Sequence, residues 1–383
     1  MNIGIDITSL IYQRGVSRYT SNLVRAFAQY TQENLFLFGY SFSKKSFLEK
    51  QAATLCNYSR NKAKQHVQRL PISVQSKLWQ FGLNKVTNTF PQLEVFHSWD
   101  WLQPPDENIP IVSTIHDLAI LKFPETAHPQ VLKAHRKSWA ILKKRKAHII
   151  AVSHATKKDI VDRLDIPNWR VHVVPESLPV EIEQIDREMT EQTEERIIEK
   201  LNLIKPYILF VGVREPRKNL DRLIKAWLPL ANEIELLVVG EKSWSELEQE
   251  SHPSLRFLGH VSDQELSVLY AQAQLFAYPS LYEGFGLPIL EAFHHGTPVI
   301  TSDISAMIEV AGNAAQLVDP TSVKEIRQAI KTVLSESELE QQHRLQRMII
   351  RKQMFNWNKV ARQTLAVYQK AIDDFNSQSN TKD

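Results

Sequence analysis

The sequence predicts an α/β protein built from two Rossmann-like, doubly wound parallel-sheet domains. Three observations carry this. A chain of 383 residues is long for one hydrophobic core and comfortable for two. Short apolar runs recur through both halves, as strands covered on both faces require. Stretches with helical spacing separate them, so each half opens strand–loop–helix–strand.

In the first half, a strand is predicted over residues 2–7 and a helix over 17–30, with a polar loop between. Strands follow at 35–40, 95–98, 111–115, 148–152 and 171–174. Residues 41–93 are basic and poorly periodic, and they receive no assignment. The second half repeats the theme. A strand at 207–211 leads to a helix over 219–231, then strands at 234–239, 256–258, 275–278, 298–301 and 316–318. Asp263 reads as an N-cap, with Leu266, Leu269 and Tyr270 at helical spacing behind it.

Between the halves lie two prolines and an acidic run from Glu181 to Glu195, read as a hinge and a solvated helix. The tail is a helix from about Trp357 to Phe375, with Val360, Thr364, Val367, Tyr368 and Ala371 on one face. Residues 376–383 are expected to be disordered. The domains are therefore placed at 1–178 and 205–357, with a hinge at 179–204.

Hydrophobic content of 43% and charged content of 23% fit a soluble globular protein. Cys56 is the single cysteine, which excludes an internal disulfide and a cysteine-based zinc site and points to the cytosol. The first residues carry Asp6 inside their apolar run and read as a strand, not a signal peptide. No stretch is apolar for the 18 or so residues that a membrane span needs. The net charge of +3 is divided unevenly: residues 1–180 hold +11 and residues 181–383 hold −8. That asymmetry suggests an anionic partner for the first half.

The run 279–298, Pro-Ser-Leu-Tyr-Glu-Gly-Phe-Gly-Leu-Pro-Ile-Leu-Glu-Ala-Phe-His-His-Gly-Thr-Pro, is the most informative segment. Pro288 suits a first helical position, Gly296 suits the residue past a helix end, and Pro298 cannot continue a helix. A short helix is predicted from Pro288 to His295, with Gly284 and Gly286 in the turn before it. Free amides and the helix dipole make such a turn an anion site. Glu283 and Glu291 flank it, and carboxylates grip sugar hydroxyls as acceptors. The combination suits a sugar–diphosphate–nucleoside. A bare Glu-x7-Glu pair arises often by chance, and it is the Gly-x-Gly-x-Pro between the two that gives this one meaning.

These residues resemble the Glu-x7-Glu signature of the family-four (group 1) retaining glycosyltransferases, which have the GT-B fold. Four more motifs follow the family's order. Arg14-Gly15-Val16-Ser17-Arg18-Tyr19-Thr20 resembles its glycine-containing loop, and Thr114-Ile115-His116-Asp117-Leu118 its strand-end histidine motif. Val211 to Asn219 resembles its basic diphosphate loop, and Arg256 to Asp263 its base-binding segment. The resemblance implies two facing domains, with a C-terminal helix over 358–376 crossing back to the first. It implies an acceptor-binding first domain and a donor-binding second domain.

The resemblance also implies roles. His116 and Glu283 are the catalytic candidates: His116 beside the transferred sugar, Glu283 on its hydroxyls. Glu291 would hold the nucleoside ribose, and Val261 would present backbone to the base. Gly15 from the first domain would meet the diphosphate, together with Arg214, Arg217, Lys218 and the 284–287 turn of Gly284, Phe285, Gly286 and Leu287. Fixed cations there would stabilise the charge that builds on the leaving group. In the family an Arg commonly stands where this chain has Val213, so Arg214 is expected to replace it. Pro175-Glu176-Ser177 replaces a common Pro-Asn-Gly. His294 and His295 lack the further ligands that a metal site needs, so no metal and no cofactor are expected.

The expected reaction is metal-independent hexosyl transfer with retention to a glycan or lipid-linked acceptor, in polysaccharide or glycolipid synthesis. The motifs look most like the mannosyltransferase branch, which favours GDP-mannose over UDP-sugars as donor. Lys133, Arg136, Lys137 and Lys143-Lys144-Arg145-Lys146 form a basic helix that either is simply solvated or contacts anionic lipid at the inner membrane face. A GT-B nucleotide-sugar epimerase is the alternative enzyme. A nucleic-acid-binding protein is disfavoured, because the basic residues lack interleaved aromatics.

Overall fold

The computed structural model describes residues 1–13, 15–58, 63–241 and 252–380. They form two compact units, one of residues 1–176 with the segment from 357 onward, the other of residues 177–356.

In the first unit, seven parallel strands make one sheet: β1 (Asn2–Asp6), β2 (Asn34–Tyr40), β3 (Lys64–Gln68), β4 (Val95–Trp99), β5 (Ile111–Ile115), β6 (His148–Ala151) and β7 (Val171–Val173). The order is β3-β2-β1-β4-β5-β6-β7, with Ile3 beside Leu35 on one side and Val95 on the other. The chain winds outward from β1 to β3, then returns across the sheet to β4. Consecutive crossovers therefore leave β1 and β4 in opposite directions, and a crevice opens at their carboxyl ends. Phe36, Phe38, Tyr40, Trp79 and Phe96 fill one core cluster, and Ile115, Leu118, Trp139, Ile149 and Ile160 another.

Residues 41–93 supply the helices Lys45–Tyr58, Ile72–Gln80 and Val86–Thr89 and the edge strand β3. That strand is exposed or half-buried throughout, so its residues show no apolar alternation to read. The helix Gly15–Tyr30 packs against the C-terminal helix Trp357–Asn380, with Phe27 against Tyr368 at 5.8 Å and Tyr19 against Trp357 at 5.9 Å between ring centroids. Residues 376–380, expected to be disordered, instead continue this helix. The Ser377 hydroxyl donates back to the Asp373 carbonyl one turn earlier. Residues 381–383, part of the same expectation, lie outside the described residues.

The second unit holds β8 (Tyr207–Val211), β9 (Glu235–Val239), β10 (Leu255–Gly259), β11 (Leu275–Tyr278), β12 (Val299–Ser302) and β13 (Gln316–Val318), in the order β10-β9-β8-β11-β12-β13. Here the crevice lies between β8 and β11. Phe210, Leu223, Trp227, Leu236, Val238 and Ile330 pack the core on one face. Gly240 and Gly212 stand where β9 and β8 end. A Cβ on Gly240, at φ +136°, would lie 2.0 Å from the Gly212 carbonyl oxygen. Only glycine lets the two strand ends approach so closely.

Two local expectations are corrected. The acidic run forms two helices, Val180–Glu188 and Glu191–Leu201, because the Thr190 side chain accepts from the Thr193 amide and starts a new helix. The N-cap near residue 263 is Ser262, not Asp263. Ser262 makes a reciprocal capping box with Glu265, which outcompetes a lone Asp one residue later. No helix among the described residues is long and apolar enough to cross a membrane.

Candidate active site

The loop after β8 turns at Pro216–Lys218, and Asn219 follows in the left-handed region at φ +62°. Asn tolerates that conformation better than most residues. Its side-chain amide donates to the carbonyls of Pro279 and Pro320, at 2.9 and 2.6 Å. The Leu281 amide donates to the Arg217 carbonyl at 2.7 Å. The loops that leave β8 and β11 are thus clasped together at the crevice.

This clasp brings Arg217, Lys218 and Glu283 into one cluster. Lys218 Nζ donates to Glu283 Oε1 at 2.7 Å, and Arg217 Nη1 donates to Oε2 at 3.0 Å. Lys218 also donates to the Tyr278 hydroxyl at 2.8 Å, and Arg217 Nε to Glu215 at 2.7 Å. Lys218 and Glu283 are both buried. Burial pushes the Glu283 carboxyl up, but Lys218 and Arg217 outweigh it and hold the pKa below the ordinary value. Burial draws the Lys218 ammonium below its ordinary value, against Glu283. The cations and the carboxylate are thus in direct contact in this arrangement. Two cations on one carboxylate leave a net charge of +1, and an arriving diphosphate would share the cations with Glu283.

The turn and helix after Glu283 follow the expected pattern one residue early. Gly286 sits at φ +108° and caps a helix at Leu287–His294, with Pro288 in its first turn. Gly296 is left-handed at φ +74°. Tyr282 and Phe285 are buried, Phe285 against Phe355 at 5.6 Å. Glu291 is buried in the second helical turn and accepts from the Tyr270 hydroxyl at 3.0 Å. The Ser305 hydroxyl donates to the Glu283 carbonyl at 3.0 Å, fixing the turn's entrance. Val261 follows β10 and is buried. Arg214 does not join the Arg217 cluster; its guanidinium lies over the Phe257 ring at 4.8 Å.

In the first unit, Gly15 opens the helix that follows β1, and an added Cβ there would meet nothing within 4 Å. Arg14, from the same motif, lies outside the described residues. His116 directly follows β5. Its ring stacks on Trp99 at 6.2 Å and meets Tyr19 edge-on at 4.8 Å. Nδ1 bonds Glu176 Oε1 at 2.7 Å, while Nε2 is buried with no hydrogen-bond partner among the described residues. Burial alone would lower the His116 pKa. The hydrogen bond and charge of Glu176, with Asp100 and Asp117, raise it above its ordinary value.

The comparisons bear on both units. The model of Glycosyltransferase Family 4 matches residues 13–181, and that of Glycosyl transferases group 1 matches residues 191–350. The chain is 31% identical to the O-antigen chain mannosyltransferase B of Escherichia coli over 269 residues, covering 67% of this chain and 69% of that one. The chain belongs to the family-four, group 1 glycosyltransferases. It is 28% identical over 249 residues to the serotype-specific mannosyltransferase WbdA of Escherichia coli, covering 61% of this chain and 30% of that larger one. The structure of HepE from Anabaena, in complex with UDP and glucose, superposes with a TM-score of 0.67 at 16% identity, over 97% of this chain and all of that one. That likeness establishes the GT-B fold.

Several residues of this glycosyltransferase's candidate site were not found by sequence reasoning. Tyr278 and Tyr270 stood only within a predicted strand and helix, Tyr19 within the glycine-containing loop motif, and Trp99 had no assignment. Glu176 was visible only as a departure from Pro-Asn-Gly. His294 and His295 meet Asp186 at 2.5 and 3.7 Å, and Lys352 Nζ lies 2.8 Å from His294 Nδ1. Among the described residues no group of three or more His, Cys, Asp or Glu side chains could hold a metal ion. In the basic segment, Arg145 donates to the Pro104 and Ile109 carbonyls, Lys143 pairs with Asp165 and Lys137 donates to Gln80. Lys133, Arg136 and Lys144 are exposed on the helix Pro129–Lys144.

Proposed function

We propose that this glycosyltransferase moves a hexose, mannose in preference, from a nucleoside-diphosphate sugar to a hydroxyl of a glycan or lipid-linked acceptor, with retention and without a metal. The observation that carries the reading is the Arg217–Lys218–Glu283 cluster at the β8/β11 crevice, beside a glycine-capped helix N-terminus. Carboxylates on either side of that turn suit sugar hydroxyls, and cations beside a helix N-terminus suit a diphosphate. The mannosyltransferase names of relatives support GDP-mannose over UDP-sugars as the donor.

In this reading the glycosidic bond to the diphosphate breaks and its electron pair passes to the leaving oxygen. Arg217 and Lys218 hold the charge that develops there. The acceptor oxygen bonds the anomeric carbon on the same face, and the leaving phosphate takes the acceptor's proton. Glu283 holds the transferred hexose and Glu291 the ribose. The exposed cations of the helix Pro129–Lys144 suit peripheral contact with anionic lipid at the cytoplasmic face, about 1 kcal/mol for each basic residue at the surface.

The test is transfer from GDP-mannose, UDP-glucose and other labelled donors to lipid extracts and soluble glycans, with EDTA present and the product's anomeric configuration scored. An inverted product, or loss of turnover on metal removal, overturns the mechanism. A thermal-shift panel of GDP, UDP and ADP ranks the bases, since a ligand that binds only the folded state raises the melting point.

A further inference from the structure

We propose that Glu176 is a positioning residue for this reaction: it fixes the proton of His116 on Nδ1 and so presents Nε2, at the carboxyl end of β5, as a hydrogen-bond acceptor for a sugar hydroxyl. This rests on the reading above and deepens it.

The geometry leaves the ring little choice. A carboxylate has only acceptor oxygens, so at 2.7 Å from Oε1 the Nδ1 atom must donate. In the neutral imidazole the lone pair then belongs to Nε2. Trp99 and Tyr19 flank the ring, with centroids 6.2 and 4.8 Å away, and the bond to Glu176 sets which nitrogen faces it. Glu176 is 6% exposed, so water does not compete for Nδ1. Nε2 is left with no internal partner among the described residues, at the carboxyl end of β5, where an α/β sheet binds its ligand. A buried ring nitrogen without a partner is uncommon unless something else occupies it.

The charge of Glu176 has a second effect. Its negative charge, passed on through the Nδ1 hydrogen bond, makes Nε2 a stronger acceptor. The other groups that face His116 are Asp100 after β4, the adjacent Asp117, His97 on β4 and Tyr19 on the helix Gly15–Tyr30. Asp100 is also engaged by His135 at 3.2 Å, and His97 is held neutral by burial. Glu176 is therefore the anion in direct contact with His116.

The test uses the full-length enzyme. In E176Q the amide oxygen can still accept from Nδ1, but the charge is gone. We expect kcat to fall roughly 10–100-fold, with donor KM changed by less than about twofold. The acid limb of the kcat profile should move to lower pH, since His116 loses the anion that raises its pKa. H116A and the double variant H116A/E176Q should be equally slow, because Glu176 acts through the ring. In wild type labelled with ¹⁵N-histidine, one resonance that disappears in H116A should show the Nδ1–H tautomer. An unchanged kcat and pH profile in E176Q, additive losses in the double variant, or an Nε2–H tautomer each overturn the inference. If wild type transfers no sugar from any donor, the functional reading fails instead, and the tautomer measurement still decides the role of Glu176.

Discussion

Lys218 Nζ lies 2.7 Å from Glu283 Oε1, although the two residues are 65 positions apart and each is buried. Arg217 holds the second carboxylate oxygen, so the cluster is asymmetric: the anion has two cations, while Lys218 has one anion and one tyrosine hydroxyl.

That asymmetry orders the cost of mutation. E283A strands a buried ammonium and should destabilise the second unit by roughly 3–5 kcal/mol, the usual cost of breaking a buried ion pair. K218A leaves Glu283 paired with Arg217 and should cost less than E283A. Urea denaturation checks the order; an equal or inverted ranking contradicts it. Both variants should lose transfer activity.

Tyr270 donates its hydroxyl to Glu291 at 3.0 Å, deep in the second unit. Y270F leaves the buried carboxylate one donor short, which costs roughly 1–3 kcal/mol. If Glu291 grips the ribose, nucleotide affinity should fall several-fold while the transfer step at saturating donor is little affected. Calorimetric titration with GDP and UDP reads the first effect, and saturation kinetics the second.

Asp6 ends β1 with its side chain fully buried, and burial raises its pKa to about 6 against the hydrogen bonds from Thr8. The folded state therefore holds this proton more tightly than the unfolded chain. Its stabilising effect is complete below about pH 4, where both states are protonated. It is lost as pH rises through about 6. D6N does not titrate. Relative to D6N, wild type should lose up to about 3 kcal/mol of stability between pH 4 and 7.5, two units at 1.36 kcal/mol each. Paired denaturation curves across that range measure the difference, in which other groups cancel. A constant gap refutes it.

Glycine is required at some turns and merely convenient at others. G240A drives a methyl to within 2.0 Å of the Gly212 carbonyl and should abolish stable folding of the second unit. Gly259 is also left-handed, at φ +68°, but a Cβ there meets nothing. G259A should therefore cost only the conformational term of about 1–2 kcal/mol. Expression yield and melting temperature separate the two.

Much of this molecule was legible in advance because it is written in contiguous residues. Ile111–Ile115, Tyr207–Val211, Leu275–Tyr278 and Gln316–Val318 were read with their observed limits. Tyr207–Val211 and Leu275–Tyr278 are unbroken apolar runs, as strands covered on both faces require. The 284–288 turn was legible because glycine and proline constrain their own backbone. What failed was read from weaker local signals. Asp263 yielded the cap to Ser262, because a reciprocal pair of bonds with Glu265 beats one. The edge strand β3 went unseen, since water covers what a core would otherwise select.

The amino-acid order by itself determined the two parallel sheets, the loops at their carboxyl ends and the residue types in those loops. Burial periodicity and backbone torsion are properties of neighbours along the chain. Tertiary structure alone decided the pairings: Glu283 with two cations, Glu291 with Tyr270, His116 with Glu176. Each joins loops or elements 21 to 66 residues apart: winding the second sheet outward and back sets the ends of β8 and β11 side by side for Glu283, while Glu291 and Tyr270 meet between two helices packed on that sheet.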